Sequence, residues 1–145
     1  MVAKFTHLLT FMLLLASAAS ADEARITADT AYDRAREGRL TLIDIRSREE
    51  WRESGIPAGA LPVSMHAPGG KAAFAKAILR AVKGDKTKPI AVICAVGNRS
   101  RWAQNYLTDQ GYKRVYDVSE GMFGRGKHLP GWVRRGLPVA SCSSC

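Results

Sequence analysis

Apolar residues recur along this chain in two rhythms, and the alternation between them predicts most of the elements. From Lys71 to Lys83, Phe74, Ala77, Ile78, Ala81 and Val82 fall at helical spacing, and Gly84 closes the segment. Ser100 to Gln110 repeats that rhythm through Ala103, Tyr106 and Leu107, with Gly111 as its stop. Thr27 is a suitable N-cap for a helix over Ala28 to Glu37 that ends at Gly38. A short helix over Arg48 to Glu53 and a single turn over Trp132 to Arg135 complete the helical set. Between them lie short apolar runs of the kind buried on both faces of a parallel sheet: Leu40 to Ile45, Pro89 to Ile93, Arg114 to Val118 and, more briefly, Leu61 to Ser64. Gly55 to Gly59 and Gly121 to Gly131 read as loops. Strands alternating with helices predict an α/β fold with a mainly parallel central sheet flanked by helices.

The first residues follow neither rhythm. Lys4 precedes an almost unbroken apolar run from Leu8 to Ala16, and Ala19-Ser20-Ala21 supplies small residues of the kind accepted at a signal-peptidase site. The run is shorter than the roughly 20 residues that span a bilayer. The expectation is a secretory signal over residues 1–21, cleaved near Ala21, and an exported, most simply periplasmic, protein without stable membrane insertion. Residues 22–140 are then one domain and 141–145 a cysteine-containing tail.

Charge changes the picture only slightly. The chain carries a formal +9, and loss of Lys4 with the signal leaves +8. Basic residues are dispersed rather than clustered, which together with export disfavours nucleic acid and fits electrostatic attraction of small anions. The three cysteines change it more. Cys142 and Cys145 sit together at the C-terminus, leaving Cys94 alone in the middle of the chain. In an oxidising compartment an odd count marks one thiol as unpaired.

Cys94 follows the apolar run Ile90 to Ile93 and precedes Ala95-Val96-Gly97-Asn98-Arg99-Ser100, where a helix begins. In such a strand–loop–helix turn, backbone N–H groups and the positive end of the helix converge on one spot. A thiolate there is stabilised, so a lowered thiol pKa is expected. Gly97 allows torsions that side chains resist, and Arg99 adds a permanent positive charge. A lone cysteine at a strand end is often only a small buried hydrophobe. The combination of Cys94, Gly97 and Arg99 between strand and helix favours a reactive thiolate.

These residues resemble the rhodanese family. Leu42-Ile43-Asp44-Ile45-Arg46 with Glu50-Trp51 is similar to the family's first-strand motif, and Ser54 to Ala60 to its Gly-His-Ile-Pro-Gly-Ala turn, without the His and with one residue added. Cys94 to Ser100 matches the active loop. Gly111-Tyr112, Val115 to Val118, Glu120-Gly121-Met122, Trp132 and Gly136 to Val139 follow the closing pattern, with a longer Phe123 to Gly131 segment. The resemblance implies a rhodanese-like three-layer fold and sulfurtransferase chemistry without a cofactor or metal. Cys94 takes sulfur from a small anionic donor such as thiosulfate, and a thiol, a cyanide ion or a redox protein accepts it. Ala95, Val96, Gly97, Asn98, Arg99 and Ser100 form the substrate-binding loop, with Asp44 and Arg46 as supporting residues. Related phosphatases and arsenate reductases of this fold carry one residue more between the Cys and the Arg, so the shorter loop suits a single sulfur atom. A rhodanese-like binding or redox-sensing module with little turnover is the alternative.

Some residues stay open. Ala95 and Val96 stand where thiosulfate-using members carry basic residues, and Arg46, Arg99 and Arg101 are candidates to supply that charge. Asp44 either fixes the loop, by pairing with an arginine, or acts directly. Cys142 and Cys145 are a disulfide-closed tail, a resolving dithiol or half of a metal site. His66 and His128 read as exposed loop residues, and Trp51, Trp102 and Trp132 as packing.

Overall fold

The computed structural model describes residues 23–145, so the expected export segment over 1–21 lies outside the described residues. In chain order the elements are β1 (Arg25–Ile26), α1 (Ala28–Arg36), β2 (Thr41–Asp44), α2 (Arg48–Ser54), β3 (Ile56–Pro57), β4 (Leu61–Pro62), α3 (Gly70–Ala81), β5 (Ile90–Ile93), α4 (Asn98–Asp109), β6 (Val115–Val118), α5 (Gly131–Arg134) and β7 (Val139–Ala140). Five strands form one sheet in the order β1-β6-β5-β2-β4, with every neighbouring pair parallel. Strands β3 and β7 make a separate antiparallel ribbon.

The sheet explains why its central strands read as continuous apolar runs. Successive side chains of a strand point to opposite faces. On β5, Ile90 and Val92 join one core with Phe74, Ile78, Ala103 and Leu107 of α3 and α4. Ala91 and Ile93 join the other core with Ala28 and Ala31 of α1 and Trp132 of α5. Helices therefore cover both faces, giving the expected three-layer α/β arrangement.

Local capping matches the sequence reading at two helix starts. The Thr27 side chain accepts from the Thr30 amide at 3.4 Å. Ser47 and Glu50 form a reciprocal capping box at the start of α2. Three strands and one helix start stand out against expectation. The Gly55–Gly59 segment, expected as loop, contains β3, and neither β1 nor β7 is expected from the sequence. These strands have two residues each, too few to show a period, and exist because a distant strand pairs with them. Helix α4 starts at Asn98 rather than Ser100, because Gly97 in a left-handed conformation ends the loop two residues earlier.

Parallel strands place the ends of β2, β5 and β6 on one side of the sheet, where Cys94 follows β5. No helix among the described residues is long and apolar enough to cross a membrane.

Candidate active site

Cys94 leaves the end of β5 with its side chain turned inward, 1 % exposed. Its Sγ accepts from the Gly97 amide at 3.1 Å and from the Ser100 amide at 3.4 Å. The second of these belongs to the first turn of α4, so one of the helix's unsatisfied donors meets the sulfur beside the amide of its N-cap Gly97. Gly97 has φ +89°, and a β-carbon there would lie 2.0 Å from the Ser119 carbonyl oxygen. Only glycine permits that approach.

The next segment locks the loop from behind. The amides of Met122 and Phe123 donate to the carbonyls of Cys94 and Ala95, each at 2.9 Å. Gly121 has φ +63°, and a β-carbon there would lie 2.6 Å from the Ala95 carbonyl oxygen. Ala95 and Val96 are half-buried, and Asn98 is exposed.

Arg99 is engaged in an ion pair. Its Nη1 and Nη2 donate to Glu50 Oε2 and Oε1 at 2.7 and 2.6 Å, and His66 Nε2 lies 3.0 Å from Nη1. Arg99 hydrogen bonding draws the Glu50 carboxyl down to about 2, against the opposing effect of burial. The same carboxylate raises Arg99 further above its ordinary value. His66 is an exposed turn residue, as expected, and its ring meets the loop arginine.

Asp44 and Arg46 form a buried pair. Both side chains are fully buried, and Arg46 Nη2 and Nε meet the Asp44 carboxylate at 2.7 to 3.1 Å. The guanidinium also donates to Ser54 Oγ at 2.7 Å and the Gly55 carbonyl at 2.6 Å. Arg46 thus ties β2 to the end of α2 and, being fully buried, is closed to a ligand. Arg101 lines a groove with Arg25, Arg34 and Asp117, and no residue from Cys94 to Ser100 lines that groove.

Three participants were not singled out in the sequence. Arg125 reaches back from the long segment after β6: its Nη1 donates to Asn98 Oδ1 at 3.0 Å, and its Nη2 lies 3.2 Å from where a Gly97 β-carbon would sit. It is a cation on the loop that Ala95 and Val96 leave uncharged. The second is Asp117 on β6, whose Oδ1 accepts from Ser100 Oγ at 2.6 Å. The third is Glu50, which the resemblance quoted only as part of a motif. An acid inside the apolar Val115–Val118 run was the one available signal for Asp117; Arg125 sits among glycines with no period and gave none.

Cys142 and Cys145 are joined to each other, and Cys94 is a free cysteine. Among the described residues, no group of three or more His, Cys, Asp or Glu is gathered to hold a metal ion. Trp51 and Trp132 are core residues, while Trp102 is partly exposed and stacks on Tyr106 with ring centroids 5.0 Å apart.

A parallel three-layer sheet with a buried thiol in a tight strand-to-helix loop defines the class: an α/β protein built around one cysteine. The rhodanese-like domain family model matches residues 27–126, and the chain belongs to that family. It is 32 % identical over 114 residues to a protein of Glaesserella parasuis named thiosulfate sulfurtransferase GlpE, covering 79 % of this chain and 90 % of that one. Its fold is similar to Rv0390 of M. tuberculosis, with TM-score 0.64 and 24 % identity over 81 % of this chain and 97 % of that one. It is also similar to the polysulfide-sulfur transferase homodimer of Wolinella succinogenes, with TM-score 0.58 and 26 % identity over 83 % and 80 % of the respective chains.

Proposed function

We propose that this chain is a sulfurtransferase that carries sulfane sulfur as a persulfide on Cys94. The observation that carries the reading is the pair of amides from Gly97 and Ser100 aimed at the Cys94 sulfur. Such donors stabilise negative charge on the sulfur, as an oxyanion hole does on oxygen. The names of the two sulfur-handling relatives lend support, and thiosulfate is the leading donor.

The reaction has two halves. The Cys94 thiolate attacks the outer sulfur of thiosulfate; the sulfur–sulfur bond breaks and sulfite leaves with the electron pair. A nucleophile such as cyanide or a thiol then attacks the outer sulfur of the persulfide. The new bond forms as the persulfide bond breaks, and the thiolate returns. Arg125 supplies the charge that draws the anionic donor to the loop, while Arg99 and Arg46 hold the loop's frame. Export remains part of this proposal, resting on the pattern of residues 1–21; a Cys142–Cys145 disulfide fits an oxidising compartment.

Steady-state kinetics with thiosulfate and cyanide test the scheme. Parallel double-reciprocal lines are expected, and Arg125→Gln should raise KM for thiosulfate several-fold with kcat little changed. Intersecting lines would contradict the two-half reaction, and an unaltered KM would remove Arg125 from donor binding.

A further inference from the structure

Two buried aspartates flank the cysteine strand, and they are held in opposite ways. Asp44 on β2 is saturated by Arg46, as a fully buried anion needs to be. Asp117 on β6 is 1 % exposed, yet its Oδ1 has one partner, the Ser100 hydroxyl, and its Oδ2 has none among the described residues. A buried carboxylate with a bare oxygen is costly as an anion and much less so as a neutral acid.

The hydroxyl that meets Asp117 also meets the thiol. Cys94 Sγ lies 3.4 Å from Ser100 Oγ, which is 2.6 Å from Asp117 Oδ1. A hydroxyl has a single proton to donate. It can point at the sulfur or at the carboxylate. With the thiol protonated, S–H donates to Ser100 and Ser100 to the carboxylate. With a sulfur anion present, the hydroxyl is needed at the sulfur, and a charged carboxylate behind it would face a second negative charge in a low-dielectric interior.

We propose that Asp117 is a positioning residue for Cys94: through the Ser100 hydroxyl it takes up the thiol proton when a sulfur anion forms, and returns it when the thiol is restored. The S–H bond breaks as a new O–H bond forms on Ser100, and the original Ser100 proton moves to Asp117. No electrons leave the set. The negative charge passes from carboxylate to sulfur, and the net charge of the three groups is unchanged.

The surroundings agree with a carboxyl that accepts protons readily. Burial raises Asp117 above the ordinary aspartate range, against the lowering effect of the Ser100 bond and of three nearby arginines: Arg25 on β1, Arg101 on α4 and Arg125 in the segment after β6. On the sulfur side, the charged groups are Arg99, already paired with Glu50, and Asp44, already paired with Arg46. Asp117 is also among the residues lining the groove of about 1070 Å³ that contains Arg25 and Arg101.

The inference rests on Cys94 being the working thiol of the proposed reaction, and its test reads that thiol directly. The protein is taken with Cys142 and Cys145 changed to Ser, and the rate of Cys94 alkylation by iodoacetamide is followed against pH. Two inflections are expected, since a coupled pair titrates in two steps. Asp117→Asn should leave one inflection and react about tenfold faster on the acidic limb, equivalent to one unit in the thiol titration. Ser100→Ala should also leave one inflection, displaced to higher pH. Should Asp117→Asn not fold, the infrared carbonyl band of a neutral carboxylic acid is read in the protein that retains Asp117, and it should weaken when Cys94 is capped. Profiles that superimpose with and without the Asp117→Asn substitution, or a band unmoved by capping, would overturn the proposal. A two-step profile in a protein that transfers no sulfur would sink the sulfurtransferase reading alone.

Discussion

Glu50 shows how one side chain can serve a helix and the Cys94 loop together. It closes the capping box of α2 with Ser47 and grips both outer nitrogens of Arg99. Its folded carboxyl titrates near 2, below the ordinary 4.5. An acid whose folded value is depressed contributes stability that is complete above its unfolded value and is lost as pH falls through the folded one. Glu50→Gln should therefore cost about 1–2 kcal/mol near neutral pH, where two charge-assisted bonds are weakened. The gap between variant and parent should close as pH falls from about 4.5 towards about 2. Urea unfolding at several pH values measures it; a gap that stays constant with pH would deny the ion pair its role. At this scale the sequence was informative about Cys94, Gly97 and Ser100, whose meaning is local. It could not place Arg99, Arg125 or Asp117, because each is defined by a partner 17 to 49 residues away.

At the scale of elements, helices and central strands were legible because their patterns are repetitive. Phe74, Ile78 and Val82 lie on one buried stripe of α3 and its C-cap, and β5 is buried on both faces. Strands β1, β3 and β7 were not, being two residues long and formed by pairing alone. What fastens the ends of the helices was equally hidden. Fully buried Glu120 accepts from the amides of Ala28 and Gly131, each at 2.7 Å, and from Arg135 Nε at 2.9 Å. It thus satisfies the N-termini of α1 and α5 with one carboxylate, and fixes the segment that carries Arg125. Glu120→Gln should lower stability by about 2–3 kcal/mol, since the isosteric amide opposes a donor to the buried amides and leaves Arg135 only its longer pairing with Asp29 at 3.5 Å. Denaturant midpoints check this, and a change under about 0.5 kcal/mol, typical of a surface site, would show that the contacts are not limiting.

Across the whole molecule, the order β1-β6-β5-β2-β4 gathers the site from all parts of the chain. The loop thiol follows the central strand, Asp44 and Arg46 arrive from β2 on one side, and Asp117 from β6 on the other. Alternation of strands and helices identified the class of fold, and the loop identified the thiol; the lateral order of the strands came from pairing that no local pattern encodes. That order makes the two neighbouring aspartates unequal, one neutralised by an arginine and one left beside a hydroxyl.

The central claim is that Cys94 accepts a sulfur atom. Intact-mass measurement after incubation of the protein with thiosulfate tests it most directly. A gain of one sulfur atom is expected, mapped to Cys94, removed by cyanide and absent from Cys94→Ser. No adduct at Cys94 with thiosulfate, polysulfide or mercaptopyruvate would contradict it.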